Sequence, residues 1–321
     1  MLMSHRYTPL EIINAPKLLT ANSRLVALGS CFSDHMGGRL AHCGFRTETN
    51  PVGILYNPVS LATSIGRAMA GTGLAPDNVH ERDGLFFHYD YHSDMSATSA
   101  AETVDTINNA SQQLSAAIGT ADCMLITLGT AIAYRHKDTQ EVVANCHKMP
   151  SQLFEKELLS VEDMYSSLYN SIADTKVPYV VLTVSPVRHT KEGLVHNQRS
   201  KARLIETAHQ LAHDLEHVYY FPSYELMMDE LRDYRYYKQD MIHPTAEAVD
   251  IIWTRFIQTY MDGSAREKVK EVDAVWARVS HRPMHAGSKA HAKFVQQTQE
   301  LIAQVLEKYP DLPSSFFQRR Q

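Results

Sequence analysis

Basic charge, paired cysteines and long apolar runs are all scarce in this chain. Lys and Arg number 31 against 36 Asp and Glu, a net charge of −5. Proteins that grip nucleic acid by its phosphates carry a basic excess or stripe. Neither is present, so no nucleic-acid partner is expected. No apolar run approaches the roughly 20 residues that a membrane helix needs, so no membrane partner is expected either. The four cysteines, Cys31, Cys43, Cys123 and Cys146, form no CxxC pair. Residues 1–7 show no basic stretch leading into an apolar one, so no secretory leader is read and the cytoplasm is the expected compartment. Disulfides are disfavoured there, which leaves each cysteine as core filler, ligand or nucleophile. No P-loop, dinucleotide fingerprint, internal repeat or low-complexity tract occurs, so no cofactor is expected.

What is present is average for a globular protein. The 321 residues are 44% hydrophobic and 21% charged, which excludes disordered, collagen-like and disulfide-scaffold chains. Short apolar runs alternate with helical patterns. Leu25–Leu28, Met124–Leu128, Tyr179–Val184 and Val218–Phe221 read as buried strands, with Phe45–Thr49 as another. Helices are predicted over about Phe32–Cys43, Pro58–Met69, Ser200–Leu215 and Thr245–Tyr260. Strands separated by helices mean βαβ units and a parallel sheet covered on both faces. The expectation is an α/β protein: a three-layer α/β/α sandwich on a five-stranded parallel sheet. Two inserted hairpins are read, an aromatic one over Leu85–Tyr91 and a second from Ala131–Tyr134 with Glu141–Ala144. Residues 1–262 form the expected catalytic domain. Residues 263–321 are polar and helical, an extension that packs on the core or offers an interface to a second copy.

In open parallel sheets, sites form beyond the C-terminal ends of the strands. Those ends carry Gly29-Ser30-Cys31-Phe32, Asn50-Pro51-Val52-Gly53, Leu128-Gly129-Thr130-Ala131 and Ser185-Pro186-Val187-Arg188. Ser30 and Cys31 are nucleophile candidates. The free N–H groups of a helix start can hold an oxyanion, and its field lowers a thiol pKa. Late in the chain, Asp240-Met241-Ile242-His243-Pro244 precedes a helix. An Asp three residues before a His can bond Nδ1 and aim Nε2 at a nucleophile. The plainer alternative is a helix-start turn with His243 merely exposed.

With these blocks in place, the sequence resembles the GSCFA-domain family. Gly29-Ser30-Cys31-Phe32 matches its naming signature, followed by the blocks Asn50 to Pro58, Leu128 to Ala131, Val143 to Lys148, Ser185 to His189 and Asp240 to Pro244. The family is grouped with the SGNH (GDSL-like) hydrolases. The resemblance implies a five-stranded sandwich, a nucleophile after the first strand and a DxxH base near the end. SGNH enzymes read Gly-Asp-Ser at the first block. In that register Cys31 is the nucleophile; a slip of one residue selects Ser30. Gly53 takes the oxyanion-glycine position. The GxND asparagine position is Ala131, which has no side-chain donor, so either Thr130, Asn57 or Asn145 substitutes beside Gly129 or the hole is weaker.

Other candidates stay open. Asn145 and His147 follow a strand, and their alternation would point both into the cleft, or they end a polar hairpin. Arg188 is an anchor for a substrate carboxylate or phosphate, or a structural ion pair. His209, His213 and His217 repeat every four residues, but no HExxH accompanies them and no metal is expected. Phe86, Phe87, Tyr89 and Tyr91 either line a cleft or pack as a hairpin. The function expected is acyl transfer to or from a small-molecule or carbohydrate ester, by an esterase or acyltransferase using Cys31 or Ser30, His243 and Asp240. The alternative is a binding protein on the same scaffold.

Overall fold

The computed structural model describes residues 8–12, 16–285 and 287–318; residues 1–7, read above for a leader, lie outside them. In chain order, β1 (Arg24–Gly29) leads into α1 (Cys31–His42), β2 (Arg46–Thr49) and α2 (Pro58–Ala70). A hairpin of β3 (His80–Arg82) and β4 (Leu85–Phe87) precedes α3 (Ala100–Thr120) and β5 (Cys123–Leu128). An antiparallel insert follows, β6 (Ile132–His136), β7 (Val142–Val143) and β8 (Phe154–Leu158). Next come α4 (Val161–Ala173), β9 (Tyr179–Val184), α5 (Leu194–Asp214), β10 (Val218–Phe221) and the short α6 (Ser223–Glu225). The helices α7 (Ala246–Tyr260), α8 (Gly263–Val279) and α9 (Lys289–Lys308) complete the chain.

The central sheet has five parallel strands in the order β10-β9-β5-β1-β2. Counting only these strands, that is the doubly wound order 2-1-3-4-5, whose switch point lies between β1 and β5. Strand residues alternate between two cores. Leu25 and Ala27 meet Phe32, Met36 and Leu40 of α1 and Ile252 and Phe256 of α7. Val26 and Leu28 meet Leu61 of α2, Ile107 of α3, Leu168 of α4 and Leu204 of α5. Both faces are covered, which is why the inner strands β1, β5 and β9 are largely apolar, whereas the edge strand β2, Arg-Thr-Glu-Thr, is polar and partly exposed.

Helix starts follow local chemistry. Ser30 caps α1, and Asn57 caps α2 with Pro58 at its first position, where no N–H is needed. α5 begins at Leu194 rather than near Ser200. Its first turn exposes Leu194 and Val195, so it carries no apolar period to read. The expected elements also omit α3 and α4, whose buried apolar stripes (Val104, Ile107, Leu114, Ile118; Met164, Leu168, Ile172) are narrow and set in polar sequence. The second hairpin gains a third strand, β8, paired to β6.

The extension has its own small core of Val272, Val275, Val305, Tyr309, Leu312 and Phe317. It docks where α1 ends and β2 begins. Trp276 stacks on His42 at 5.1 Å and donates to its carbonyl at 3.1 Å. Lys268 donates to the Ala21 carbonyl at 2.8 Å, and Arg46 pairs with Asp311. These anchors lie at the N-terminal edge of the sheet. Among the described residues, no helix is long and apolar enough to cross a membrane.

One glycine is dictated by the strand-tip geometry. Gly29 has φ +121°, and a Cβ there would lie 2.1 Å from the Thr127 carbonyl oxygen. Gly29→Ala is therefore expected to destabilise by on the order of 3 kcal/mol or to prevent folding. Gly38→Ala, in exposed α1 sequence with open space around it, should be neutral or stabilise by about 0.5–1 kcal/mol. Urea unfolding of both variants checks this; equal midpoints would contradict the assignment of strain to Gly29.

Candidate active site

The tip of β1 is built around that glycine. The Ser30 N–H donates to the Thr127 carbonyl at 3.1 Å, tying β1 to β5. Asn50, at φ +43°, holds the same corner from β2. Its Oδ1 accepts from the Gly29 N–H at 2.9 Å, and its Nδ2 donates to Asp34 Oδ1 at 2.7 Å. Ser30 is fully buried, and its Oγ caps α1 by accepting from the Phe32 N–H at 3.4 Å. Cys31 is the next residue, the first of α1, and it lines a cleft. Of the two nucleophile candidates, only Cys31 faces that cleft.

The candidate base, His243, lies on a clamped loop. Asp240 Oδ1 accepts from the Ile242 and His243 N–H groups at 2.9 and 3.0 Å, and Oδ2 pairs with His243 Nδ1 at 2.8 Å. With Nδ1 engaged, Nε2 is the nitrogen left for chemistry. The Lys238 N–H closes the loop onto the His243 carbonyl at 2.8 Å. Arg188, at the β9 tip, supports it from the side. Its guanidinium lies 3.9 Å from the Tyr237 ring centre, Nη1 donates to the Met241 carbonyl at 3.3 Å, and its N–H donates to the Ile242 carbonyl at 3.2 Å. No ion pair among the described residues involves Arg188, so it is not the structural ion pair that was one of its two readings.

Cys31 and His243 line the same cleft, of about 310 Å³. Its walls are largely apolar, with Ile132, Val143 and Val187 beside the rings of Tyr56 and Tyr134. Asn57, Thr130, Arg188 and His189 supply the polar groups. Asn57 Oδ1 accepts from the Ser60 N–H at 2.8 Å, and its Nδ2 donates to Ser60 Oγ at 2.9 Å. A primary amide has a second N–H to offer.

Several expectations are corrected by the geometry. The Gly53 N–H is engaged by the Asn50 carbonyl at 2.8 Å, so it is not a free oxyanion donor. The Gly129 and Thr130 N–H groups both donate to the Tyr56 carbonyl, at 2.9 and 3.0 Å. Thr130 Oγ1 accepts from the Ile132 N–H at 3.0 Å and shares a hydrogen bond with Ser200 at 3.1 Å. Asn145 and His147 do not point together into the cleft, because β7 stops at Val143 and the chain turns. Asn145 Oδ1 accepts from the His147 N–H at 2.8 Å. His147 has φ +46° and stacks on Phe87 at 4.3 Å. Its Nε2 sits 3.0 and 3.1 Å from the His88 and Tyr91 carbonyls. The aromatic segment is thus a packed hairpin. Nor do three histidines share a face of α5: the helix ends at Asp214, before His217.

The Cys31 thiol departs from expectation as well. Burial pushes its pKa up and Asp34 adds to this, outweighing the downward pull of Lys201, the residue's own N–H and Lys238. The helix-start field is present but does not win. The resting group is a thiol.

Two neighbours are missing from the sequence reading. His189 Nε2 is buried without a hydrogen-bond partner at the cleft, its ring edge-on to Tyr56 at 5.6 Å. Burial, with Lys201 and His243 nearby, holds this imidazole neutral, at about 3. Lys201, fully buried on α5, donates to the Gly129 and Ser185 carbonyls at 2.8 and 2.7 Å.

Fold and site together define a doubly wound α/β protein with a Cys-His-Asp constellation at its strand tips. The GSCFA family model matches residues 24–256, and a second model, the C-terminal domain of GSCFA domain proteins, matches residues 272–317. The chain belongs to the GSCFA family. No curated protein and no solved structure matches it.

The Asp240 lock has a pH signature. Two N–H donors and the His243 ring, the backbone bond first, hold its carboxyl well below the ordinary range. A carboxylate with a depressed pKa stabilises the folded loop above its unfolded value and loses that effect only as pH falls through the folded one. Carbon-13 NMR is expected to show an Asp240 midpoint below the ordinary value of about 3.9; a midpoint at or above it would refute the lock.

Proposed function

We propose that the protein is an acyl-transfer enzyme that works through an acyl thioester on Cys31. One observation carries the reading: Cys31 and His243 line one cleft, and Asp240 holds Nδ1 of His243 at 2.8 Å. The Cys31 sulfur attacks an ester carbonyl while His243 Nε2 takes the thiol proton. The tetrahedral oxyanion collapses, the alcohol leaves with the proton from His243, and the acyl group stays on sulfur. Water then makes the protein an esterase; an alcohol or amine makes it an acyltransferase. Because the resting sulfur is a thiol, proton removal belongs to the attack itself.

The donors suited to the oxyanion are the Asn57 amide, the Cys31 N–H at the start of α1, and His189 when its proton is on Nε2. Asn57 thereby stands in for the asparagine of the GxND block. A nucleophile after β1 and a DxxH base before the last core helix are the SGNH arrangement, which supports kinship with those hydrolases. The apolar walls fit a small acyl group, and Arg188 suits a polar or anionic acceptor such as a carbohydrate. No cleft residue comes from the extension, so α8 and α9 are free to pair two copies without completing the site.

A second reading is a binding protein on the same scaffold. The observation favouring it is that the Gly53, Gly129 and Thr130 N–H groups are already engaged.

An activated acetyl ester separates the two. Intact mass and peptide mapping should show one acetyl group on Cys31, absent in Cys31→Ala and retained in Ser30→Ala. His243→Ala should slow its appearance by about 10²-fold or more. An adduct on Ser30 would overturn the thioester mechanism, and no adduct in folded protein would favour the binding reading.

A further inference from the structure

Lys201 is a buried charged group behind the cleft wall that the proposed chemistry leaves unused. Its side chain is fully buried, and no ion pair among the described residues involves it. Two carbonyls receive its ammonium, those of Gly129 and Ser185, just beyond the ends of β5 and β9. Strapping two carbonyls together does not require a charge. A neutral amide donor would do it, without the several kcal/mol that desolvating an ammonium typically costs. A buried cation bonded to no carboxylate and set near a cleft points to an anion that forms during function.

The geometry supplies that anion. The Gly129 backbone that receives Lys201 is packed against the nucleophile turn: a Cβ on Gly129 would lie 3.2 Å from the Ser30 Cβ. Cys31 is the next residue. We propose that Lys201 is a positioning residue whose buried ammonium is the counter-charge of the Cys31 thiolate, making the sulfur a better nucleophile without touching substrate. The proposal rests on Cys31 as the reacting group.

The other charges nearby do not replace it. Facing Cys31 are Asp34 from its own helix, Lys238 from the base loop and Tyr56 from the β2–α2 connection. Facing Lys201 are Glu225 and Tyr224 of α6 and His189 of the β9 tip. Glu225 is bonded to the Tyr220 hydroxyl at 2.7 Å, and burial raises its pKa. His189 stays neutral, and Asp34 opposes the thiolate. Cys31 and Lys201 each favour the other's charged form. Burial lowers the Lys201 pKa to about 7, so with a neutral thiol beside it the lysine releases its proton near neutrality. Above that point one proton is shared, as amine with thiol or as ammonium with thiolate.

This gives a pH profile that a mere strap would not. Alkylation of Cys31 by iodoacetamide, followed by peptide mass, reads the thiolate without any ester. In the native protein the logarithm of the rate should climb with pH, then bend near 7 as Lys201 deprotonates. In Lys201→Met the rate at pH about 6 should fall about tenfold or more, since an opposing charge shifts a pKa by about 1–3 units. The gap should narrow above pH about 7, where the native profile flattens and the variant's does not. Lys201→Arg, charged throughout, should match the native rate at the lower pH and lose the bend.

Parallel, equal profiles for native protein and folded Lys201→Met would overturn the proposal. If Lys201→Met does not fold, a bend that persists in Lys201→Arg overturns it instead. The acetyl-ester experiment is independent. No adduct there, with the alkylation pattern intact, removes the enzyme reading and leaves the Cys31–Lys201 coupling standing.

Discussion

Everything at the cleft depends on how closely the tips of β1 and β5 approach. Thr127's carbonyl occupies the space a side chain would need at Gly29 and accepts the Ser30 N–H at 3.1 Å. One step on, Gly129 lies under Ser30 and against Tyr56, where a Cβ would meet the Tyr56 carbonyl oxygen at 2.9 Å. Two glycines thus allow backbone to pack on backbone at the switch point of the sheet, where the chain order reverses and helices diverge. α1 then starts with its N-terminus at the cleft, and Cys31 is its first residue. A wider gap between these strands would move the sulfur away from the loop that carries His243.

The same close packing explains why the strand-tip N–H groups are not free. Backbone donors in a dry corner must find acceptors. Gly53 finds Asn50, while Gly129 and Thr130 both find the Tyr56 carbonyl. The corner is rigid because its donors are used, and in the proposed chemistry this leaves the oxyanion to side chains and to the start of α1. Asn57 and His189 bring polar atoms to the cleft, and Lys201 brings charge from beneath. Backbone positions Cys31 here, and side chains supply the charges around it.

The sequence made the sheet legible because four of its five strands are short apolar runs closely followed by Gly or Pro, the polar edge strand β2 being the exception. It made the Cys31 placement legible because that residue follows such a run, and the Asp240/His243 placement legible because the pair comes just before a helix. What stayed hidden has particular causes. Asn145 and His147 read as alternating strand residues, yet the φ of +46° at His147 breaks the alternation. No local pattern announces a left-handed histidine. The thiol field was misjudged because helix-start effects are local to the sequence, whereas burial and Asp34 act through space. Lys201 was hidden by a misplaced boundary. With α5 starting near Ser200 it is a terminal lysine. With α5 starting at Leu194 it falls in the buried stripe with Leu204, Ala208 and Leu211.

That last case argues for where function is written in such folds. A lysine in an apolar helical stripe violates the binary pattern, and the violation persists in a core that is otherwise consistent. The extension shows the opposite. Lys268 is also buried, and it too donates to a backbone carbonyl, that of Ala21, with Phe45 and Tyr309 rings at 5.0 and 5.4 Å. Asp311 and then Cys43 raise its pKa against the effect of burial, and it stands at the N-terminal edge of the sheet, away from the cleft. Two buried lysines, then, differ in where they stand. Each has an aromatic ring, a carboxylate and a cysteine within electrostatic reach: Phe45, Tyr309, Asp311 and Cys43 for Lys268, and Tyr224, Glu225 and Cys31 for Lys201. Only Lys201 has the proposed nucleophile as its cysteine, and that position separates a joint that holds the extension from a group proposed to act on the site.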